Sequence, residues 1–242
     1  MSWNSARRRI SAAVATLALC LVTACTPGSN GPDPDTPVEV DEYTEKIAAC
    51  LTSVEDSTGP ATPLDGDPGD TATTDTEAGV SYRAYGEPWE SFDLSWQTPE
   101  LQLAFTGGQK LLAETGTDNT SNWAVISSTR MPNVVGDALV TDLGCLGALA
   151  VADIIGMTGY RSGAASTKVL EQGDREVDGR AAWLNVSRYE VIDDRFESES
   201  ELQGTLLVDT DRGVGIVYVT IPDARDDLDG LIQEVFASVR VL

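Results

Sequence analysis

The chain has 242 residues, with 39 acidic against 16 basic side chains and no histidine, so its formal charge is −23. This balance disfavours nucleic acid as a partner, because binding a polyanion depends on the counterions that Lys and Arg release. The lack of histidine excludes Ser-His and Cys-His nucleophile activation and every histidine-bearing zinc site. No glycine-rich phosphate loop precedes any lysine, and we expect no cofactor and no metal.

The N-terminus has the pattern of an export signal. Arg7, Arg8 and Arg9 precede an apolar run from Ile10 to Val22, and no acidic residue occurs before Asp33. A membrane-spanning helix needs about 20 apolar residues, so this run is too short to cross a bilayer. The pattern predicts a cleaved secretory signal.

The end of that run resembles the lipobox of bacterial lipoproteins. In Val22-Thr23-Ala24-Cys25 an aliphatic residue and two small residues precede a cysteine, whereas Cys20 follows the larger Leu19. The resemblance implies that residues 1–24 are removed and that Cys25 carries a diacylglyceryl or triacyl lipid, because stable anchoring takes more than one acyl chain. We therefore expect a protein anchored to the cell membrane on its extracytoplasmic face.

The segment that follows the signal reads as a tether. Residues 25–40 contain four prolines and little to bury, which is typical of an extended, disordered chain. Loss of the signal leaves 13 basic against 39 acidic residues, a charge of −26, which would hold the body away from anionic headgroups. The lipid would then be the membrane contact.

Residues 41–55 are predicted to form an amphipathic helix, because the apolar positions recur at helical spacing. Its stripe consists of Tyr43, Ile47, Cys50, Leu51 and Val54. Residues 56–79 are acidic and rich in Gly, Pro and Thr, and we expect them to be a disordered linker.

Residues 80–242 are long enough for one core and are expected to form one domain. Short strands are predicted first, then a helix from about Val134 to Ile155, then four more strands, and finally a helix that starts near Asp223 with Gly230 inside it. The later strands are expected near Ser166–Glu171, Arg180–Val191, Leu202–Asp209 and Val214–Ile221. This order predicts an α+β fold, a mostly antiparallel sheet flanked by helices.

Residues 80–242 also resemble the PsbP-type α/β/α sandwich of secreted and lipid-anchored actinobacterial proteins. The resemblance rests on "YGEPWESFDLSWQ", "NWAVISSTRMP" and the run from "EVDGRAAWLNVSRYEV" to "LIQEVFASVRV". It implies the fold and a non-enzymatic role, and it carries over no functional residue.

Two acidic clusters and four tryptophans are candidates for ligand-binding residues. Asp65, Asp67 and Asp70, and the group Asp193, Asp194, Glu197, Glu199 and Glu201, offer oxygen ligands for calcium, but neither has the spacing of an EF-hand loop, and solvated loops are favoured. The tryptophans could line a pocket but are expected in the core, and Trp183 is expected to point inward by alternation. They are Trp89, Trp96, Trp123 and Trp183.

Two cysteines remain after processing, Cys50 and Cys145, and an exported chain with one such pair is a candidate for a disulfide. The bond would attach the helix of residues 41–55 to the domain. The alternative is two separate buried thiols.

The sequence indicates location better than activity. We expect a monomeric binding or accessory module, not an enzyme, that holds a small apolar ligand or an envelope protein. The alternative is a hydrolase of envelope polymers that uses paired carboxylates, which 39 acidic residues always allow.

The lipid anchor is directly testable. Replacing Cys25→Ser removes the thiol that would accept the diacylglyceryl group, so the exported chain should stay uncleaved at this position and take up no labelled fatty acid. Metabolic labelling measures this, with Cys20→Ser as the matched control that should be labelled normally. Equal labelling of the Cys25→Ser protein would contradict the lipobox assignment.

Overall fold

The structure is a computed structural model, and it describes residues 61–93, 96–132, 142–157, 167–191 and 193–242. Three sheets and two α-helices make up this part of the chain. The strands are β1 (Thr62–Pro63), β2 (Ala72–Asp75), β3 (Val80–Arg83), β4 (Glu90–Phe92), β5 (Trp96–Gln97), β6 (Ala104–Phe105), β7 (Gly108–Thr115), β8 (Ser121–Arg130), β9 (Thr167–Val177), β10 (Arg180–Glu190), β11 (Ser200–Thr210), β12 (Gly213–Pro222) and β13 (Arg240–Val241). The helices are α1 (Leu143–Met157), a 3-10 helix (Asp223–Leu228) and α2 (Leu231–Ser238).

The main sheet has eight strands in the order β1-β9-β10-β11-β12-β8-β7-β4. Every neighbouring pair is antiparallel except β1 and β9, which run parallel. Strands β13, β3 and β2 form a second sheet, and β5 pairs with β6. The predicted α+β fold with a mostly antiparallel sheet is therefore confirmed.

Tight turns connect the long central strands. Asp178 and Gly179 join β9 to β10, and both have positive φ, 50° and 77°. Two successive positive φ values are typical of the type I′ turn, whose twist matches that of the paired strands. Asp211 and Arg212 join β11 to β12, and Gly213 after them has a φ of 107°.

One face of the main sheet packs against α2 and the three-stranded sheet. Alternate residues along the central strands, such as Leu184, Leu206 and Val217, point to this side. Helix α2 contacts the sheet closely at Gly204, where an added Cβ would lie 2.6 Å from Ile232 Cγ2 and 2.8 Å from Phe236 Cζ. We call this side of the sheet the α2 face.

The opposite side, the α1 face, holds a second core. Trp183, Leu207 and Ile216 point to it and pack with α1 and with strands β5 and β6. Helix α1 lies directly on the indole of Trp183, since an added Cβ at Gly147 would lie 2.1 Å from Trp183 Cε3. Helices thus cover both faces of the sheet.

In the described residues helix α1 begins at Leu143, and the part of the predicted helix that covers residues 134–141 lies outside the described residues. Asp142 caps it, because its side-chain Oδ1 accepts a hydrogen bond from the Cys145 N–H at 2.8 Å and its carbonyl accepts one from Leu146 N–H at 3.2 Å. Among the described residues, no helix is long and apolar enough to cross a membrane.

The prediction of a disordered linker over residues 56–79 is wrong for residues 61–79. Strand β1 pairs with β9, and β2 pairs with β3. Asp75 closes the turn after β2 by accepting hydrogen bonds from Glu77 N–H and Ala78 N–H, and Ser128 Oγ donates to it at 2.7 Å. The folded domain therefore begins before Val80, because polar residues can satisfy strand pairing without an apolar pattern of their own.

The predicted C-terminal helix is also corrected. Asp223 starts a 3-10 helix, and Gly230 is the N-cap of α2 rather than an interior residue. The apolar face of α2 packs into the core, because Leu231, Ile232, Val235 and Phe236 are all buried.

The contact between Gly147 and Trp183 can be tested by mutation. In Gly147→Ala the new methyl group would overlap the indole, so we expect the free energy of unfolding to fall by about 1–3 kcal/mol. Gly156→Ala, in the same helix and with no atom of the described residues within 4 Å of its added Cβ, should raise it by up to about 1 kcal/mol. Urea unfolding measures both, and equal changes in the two variants would contradict the close packing.

Candidate functional site

Two clefts lie side by side at the end of the main sheet where β10 stops and β11 starts. The larger cleft has a volume of about 560 Å³ and the smaller about 230 Å³, and Val191 and Ser200 line both. The larger cleft is lined by Lys168, Arg188, Glu190, Val191, Glu199, Ser200 and Asp223. Its size suits a small ligand, whose pockets commonly measure about 300–1,000 Å³.

Strand register brings the charged residues of the larger cleft together. Lys168 on β9 is paired with Arg188 on β10, and Glu190 is paired with Ser200 on β11. Arg188 and Glu190 follow Leu184 and Val186 at two-residue spacing, so they share the α2 face. A bulge between Val186 and Ser187 shifts the register of β9. The cleft is thus the polar end of the α2 face.

Ser200 organises one wall of this cleft. Its backbone N–H and its hydroxyl both donate to Asp223 Oδ2, each at 2.9 Å. Arg188 Nη1 in turn donates to Ser200 Oγ at 3.2 Å, and its Nη2 lies 4.0 Å from Asp229. The Asp223 carboxylate is therefore already held by two donors.

The other charged groups of the larger cleft have fewer partners among the described residues. Among the described residues, no ion pair joins Lys168, Glu190 or Glu199 to a partner, and all three side chains are exposed. A lysine without a carboxylate partner is notable in a chain with 39 acidic residues. These groups are available to a bound molecule.

Residues 193–199 form one wall of the smaller cleft, and Glu114 holds them in place. Its Oε2 accepts hydrogen bonds from Glu197 N–H at 2.9 Å and Ser198 N–H at 3.3 Å, while Asn122 donates to Oε1 at 3.0 Å. Burial opposes the ionisation of Glu114, but these hydrogen bonds outweigh it and lower the pKa of this carboxyl. The loop is therefore fixed by an ionised side chain from β7.

Arg195 carries the positive charge of that loop. It makes an ion pair with Asp193 at 2.6 Å and lies 3.7 Å from Asp118. The hydrogen bond from Arg195 lowers the pKa of Asp193 to about 2. The guanidinium also lies over the ring of Phe196, at 5.4 Å from its centroid.

Glu201 lines the smaller cleft, and its pKa is strongly raised. Burial, together with the negative charge of Asp223, raises its pKa to about 8. The Thr220 hydroxyl donates to its Oε1. Near neutral pH this carboxyl is therefore mostly protonated, beside an acid that Ser200 holds.

The sequence-predicted site residues fall in different places. Cys25 and Cys50 lie outside the described residues, and Cys145 lies half-buried in the first turn of α1. The Cys50–Cys145 disulfide and the lipid on Cys25 stay predictions.

The acidic clusters do not converge on a cation site in the described part of the chain, where no group of three His, Cys, Asp or Glu residues could hold a metal ion. Asp67 instead accepts a hydrogen bond from Gly69 N–H at 2.9 Å and lies 3.4 Å from Arg83. Glu199 and Glu201, from the second cluster, line the larger and the smaller cleft respectively.

The tryptophans divide between core and surface. Trp183 is buried, as alternation predicted, and Trp96 stacks on Phe105 with ring centroids 3.9 Å apart. Trp89 is partly buried beside Tyr85, and the Lys110 ammonium lies 4.2 Å from the Trp123 ring centroid. The described lining of the two clefts includes none of the four.

Sequence reasoning missed Lys168, Arg188, Ser200 and Asp223 as site residues. Alternation could have placed Arg188 and Glu190 on one face of β10. The neighbours of that strand depend on register, which the sequence pattern does not encode locally.

Comparison with known proteins yields structural likenesses of low identity. No protein-family model matches the chain, and no curated protein sequence matches it significantly. It is similar to the solution structure of cyanobacterial PsbP (CyanoP) from Synechocystis sp. PCC 6803, at 17% identity and a TM-score of 0.45, over 79% of this chain and 99% of that one. It is also similar to the crystal structure of the protein of unknown function PA94 from Pseudomonas aeruginosa, at 15% identity and a TM-score of 0.29, over 65% and 85%. Neither value assigns a family, and the PsbP-type resemblance stays a prediction.

The raised pKa of Glu201 predicts how stability depends on pH. The folded state keeps its proton up to about pH 8, while the unfolded chain releases it near 4.5, so ionisation favours unfolding as the pH rises between these values. Glu201→Gln, which resembles the protonated acid, should therefore gain stability over the native chain as the pH rises through this window. Urea unfolding at several pH values measures the difference.

The matched control is Glu199→Gln, which makes the same substitution at an exposed neighbour. Parallel pH profiles for Glu201→Gln and the native chain would contradict the raised pKa.

Proposed function

We propose that this protein is a lipid-anchored, extracytoplasmic binding module, and that the larger cleft is its ligand site. The observation that carries the proposal is the convergence of two cations and three carboxylates on one cleft of about 560 Å³. Strands β9 and β10 provide Lys168, Arg188 and Glu190, whereas Glu199 immediately precedes β11 and Asp223 starts the 3-10 helix. A preformed site on paired strands loses little freedom when it binds.

The location follows from the expectation for Cys25 and from the acidic composition. A lipid at the start of the mature chain would place the domain within the reach of a short tether from the membrane. The charge would keep the domain from lying on anionic headgroups. Such a position suits a protein that presents or senses a molecule close to the membrane.

The cleft changes the expected chemistry of the ligand. The sequence led us to expect a small apolar ligand, whereas six of the seven residues that line the larger cleft are charged or polar. A purely apolar molecule would cover these polar groups and leave them without hydrogen-bond partners, which is unfavourable. The ligand we propose is polar. It is either a small molecule or, where the partner is an envelope protein, a polar segment of that protein.

We also propose that the fold is of the PsbP type. Helices α1 and α2 cover opposite faces of a mostly antiparallel sheet, which is the arrangement that the sequence resemblance implies. The turn at Asp178-Gly179 lies in the "VDGR" segment on which the resemblance rests.

The binding function can be tested on protein taken from the native envelope. The full chain should carry a polar molecule, detected by native mass spectrometry, that is lost in Lys168→Gln and kept in Lys110→Gln. Lys110 contacts Trp123 and lies outside both clefts, so it is a matched lysine. Equal retention in both variants, or protein without any ligand or crosslinked partner, would contradict the proposal.

A second candidate is the hydrolase with paired carboxylates. The specific observation is Glu201, mostly protonated near neutral pH, with Asp223 close enough for its charge to raise that pKa. A protonated acid beside a carboxylate is the arrangement that glycoside hydrolysis requires. Turnover of envelope polysaccharide that Glu201→Gln abolishes would favour this candidate, and binding without turnover would favour the module.

A further inference from the structure

We propose that the ligand of the larger cleft is a small zwitterion, a molecule with an ammonium group and a carboxylate or phosphate group a few bonds apart. Lys168 and Arg188 would bind its anionic group, and Glu190 and Glu199 its ammonium group. The inference rests on the proposed function, since it names the ligand class of the same cleft.

The anionic group is assigned from the two cations. Lys168 and Arg188 are directly paired across β9 and β10, so their side chains leave the sheet side by side. Arg188 is only weakly engaged within the protein, through a 3.2 Å hydrogen bond to a neutral hydroxyl and a 4.0 Å approach to Asp229. A carboxylate or phosphate between these side chains would gain charge-assisted hydrogen bonds from both.

The ammonium group is assigned from the carboxylates that the protein leaves unpaired. Asp223 is held by two hydrogen bonds from Ser200, whereas no ion pair within the described residues engages Glu190 or Glu199. Residues Val191 and Glu199 are joined by a backbone hydrogen bond of 2.9 Å, which keeps the strand ends that carry these acids together. The two free carboxylates thus belong to one rigid wall.

A single ion fits the cleft less well than a zwitterion. A free anion would meet Glu190, Glu199 and Asp223 in a protein with a charge of −23, and a metal cation would meet Lys168 and Arg188. A zwitterion satisfies both sets and has no net charge to be repelled. Free amino acids and ethanolamine phosphate headgroups share this chemistry, and the experiment separates them.

The test is a calorimetric titration of the full chain with glycine and with glycerophosphoethanolamine, a phosphodiester without net charge, each compared with acetate and methylammonium as half-ligands. At least one zwitterion should bind about tenfold or more tightly than either half-ligand, because both ends are held at once. Preference for glycine indicates an amino-acid ligand, and preference for glycerophosphoethanolamine indicates a lipid headgroup; either result supports the inference.

Two variants test which residues bind the anionic end and which bind the ammonium end of the zwitterion. Lys168→Gln should weaken zwitterion binding about tenfold without affecting methylammonium, and Glu199→Gln should weaken it without affecting acetate. Lys110→Gln is the matched control and should bind normally. All these residues are exposed or lie on the surface of the sheet, so the variants should fold, which thermal unfolding verifies.

Two results would overturn the inference. One is half-ligands that bind as tightly as the zwitterions, and the other is zwitterion binding that Lys168→Gln and Glu199→Gln leave unchanged. If envelope-purified protein carries a polar ligand that depends on Lys168 but neither zwitterion displaces it, the zwitterion assignment fails and the binding function stands. If no ligand is found and nothing binds, both fail.

Discussion

The antiparallel pairing of β10, β11 and β12 is the interaction on which the rest of the structure depends. These strands are 10 or 11 residues long, and both of their faces are buried over most of that length. Alternate side chains therefore enter two different cores. Each flanking helix packs on one of these cores.

The close approach of α1 and α2 to the main sheet explains how two helices are enough to cover its two faces. On one face, the lack of a side chain at Gly204 admits Ile232 and Phe236 of α2. On the other, the lack of a side chain at Gly147 lets α1 rest on the Trp183 indole. Dispersion and hydrophobic contact both fall off steeply with distance, so these two approaches give the packing its density.

The clefts arise where the same strands extend beyond their helices. At the ends of β10 and β11 the alternating pattern continues, but the side chains change from Val186 and Leu202 to Arg188, Glu190 and Ser200. Polar side chains at this end remain in contact with water and with each other, and Ser200, Asp223 and Arg188 form a connected set of hydrogen bonds. A rigid strand end is a suitable base for a binding site when its charged side chains have no ion-pair partner among the described residues.

What the sequence determined by itself is mostly periodic or local. Alternation identified the long strands and the inward direction of Trp183, and the pattern around Cys25 predicted the lipid anchor. Strand pairing and other long-range contacts determined the remaining features. The segment of residues 61–79 has no apolar period, and it is ordered because its backbone and Asp75 bond to strands and side chains distant in sequence. Lys168 and Arg188 are twenty positions apart and meet only because β9 is paired with β10 in one register. Glu201 is an ordinary acid in the sequence, and its pKa is raised because folding buries it and brings Asp223 near. Long-range contacts of this kind depend on which strands become neighbours, which no local pattern specifies.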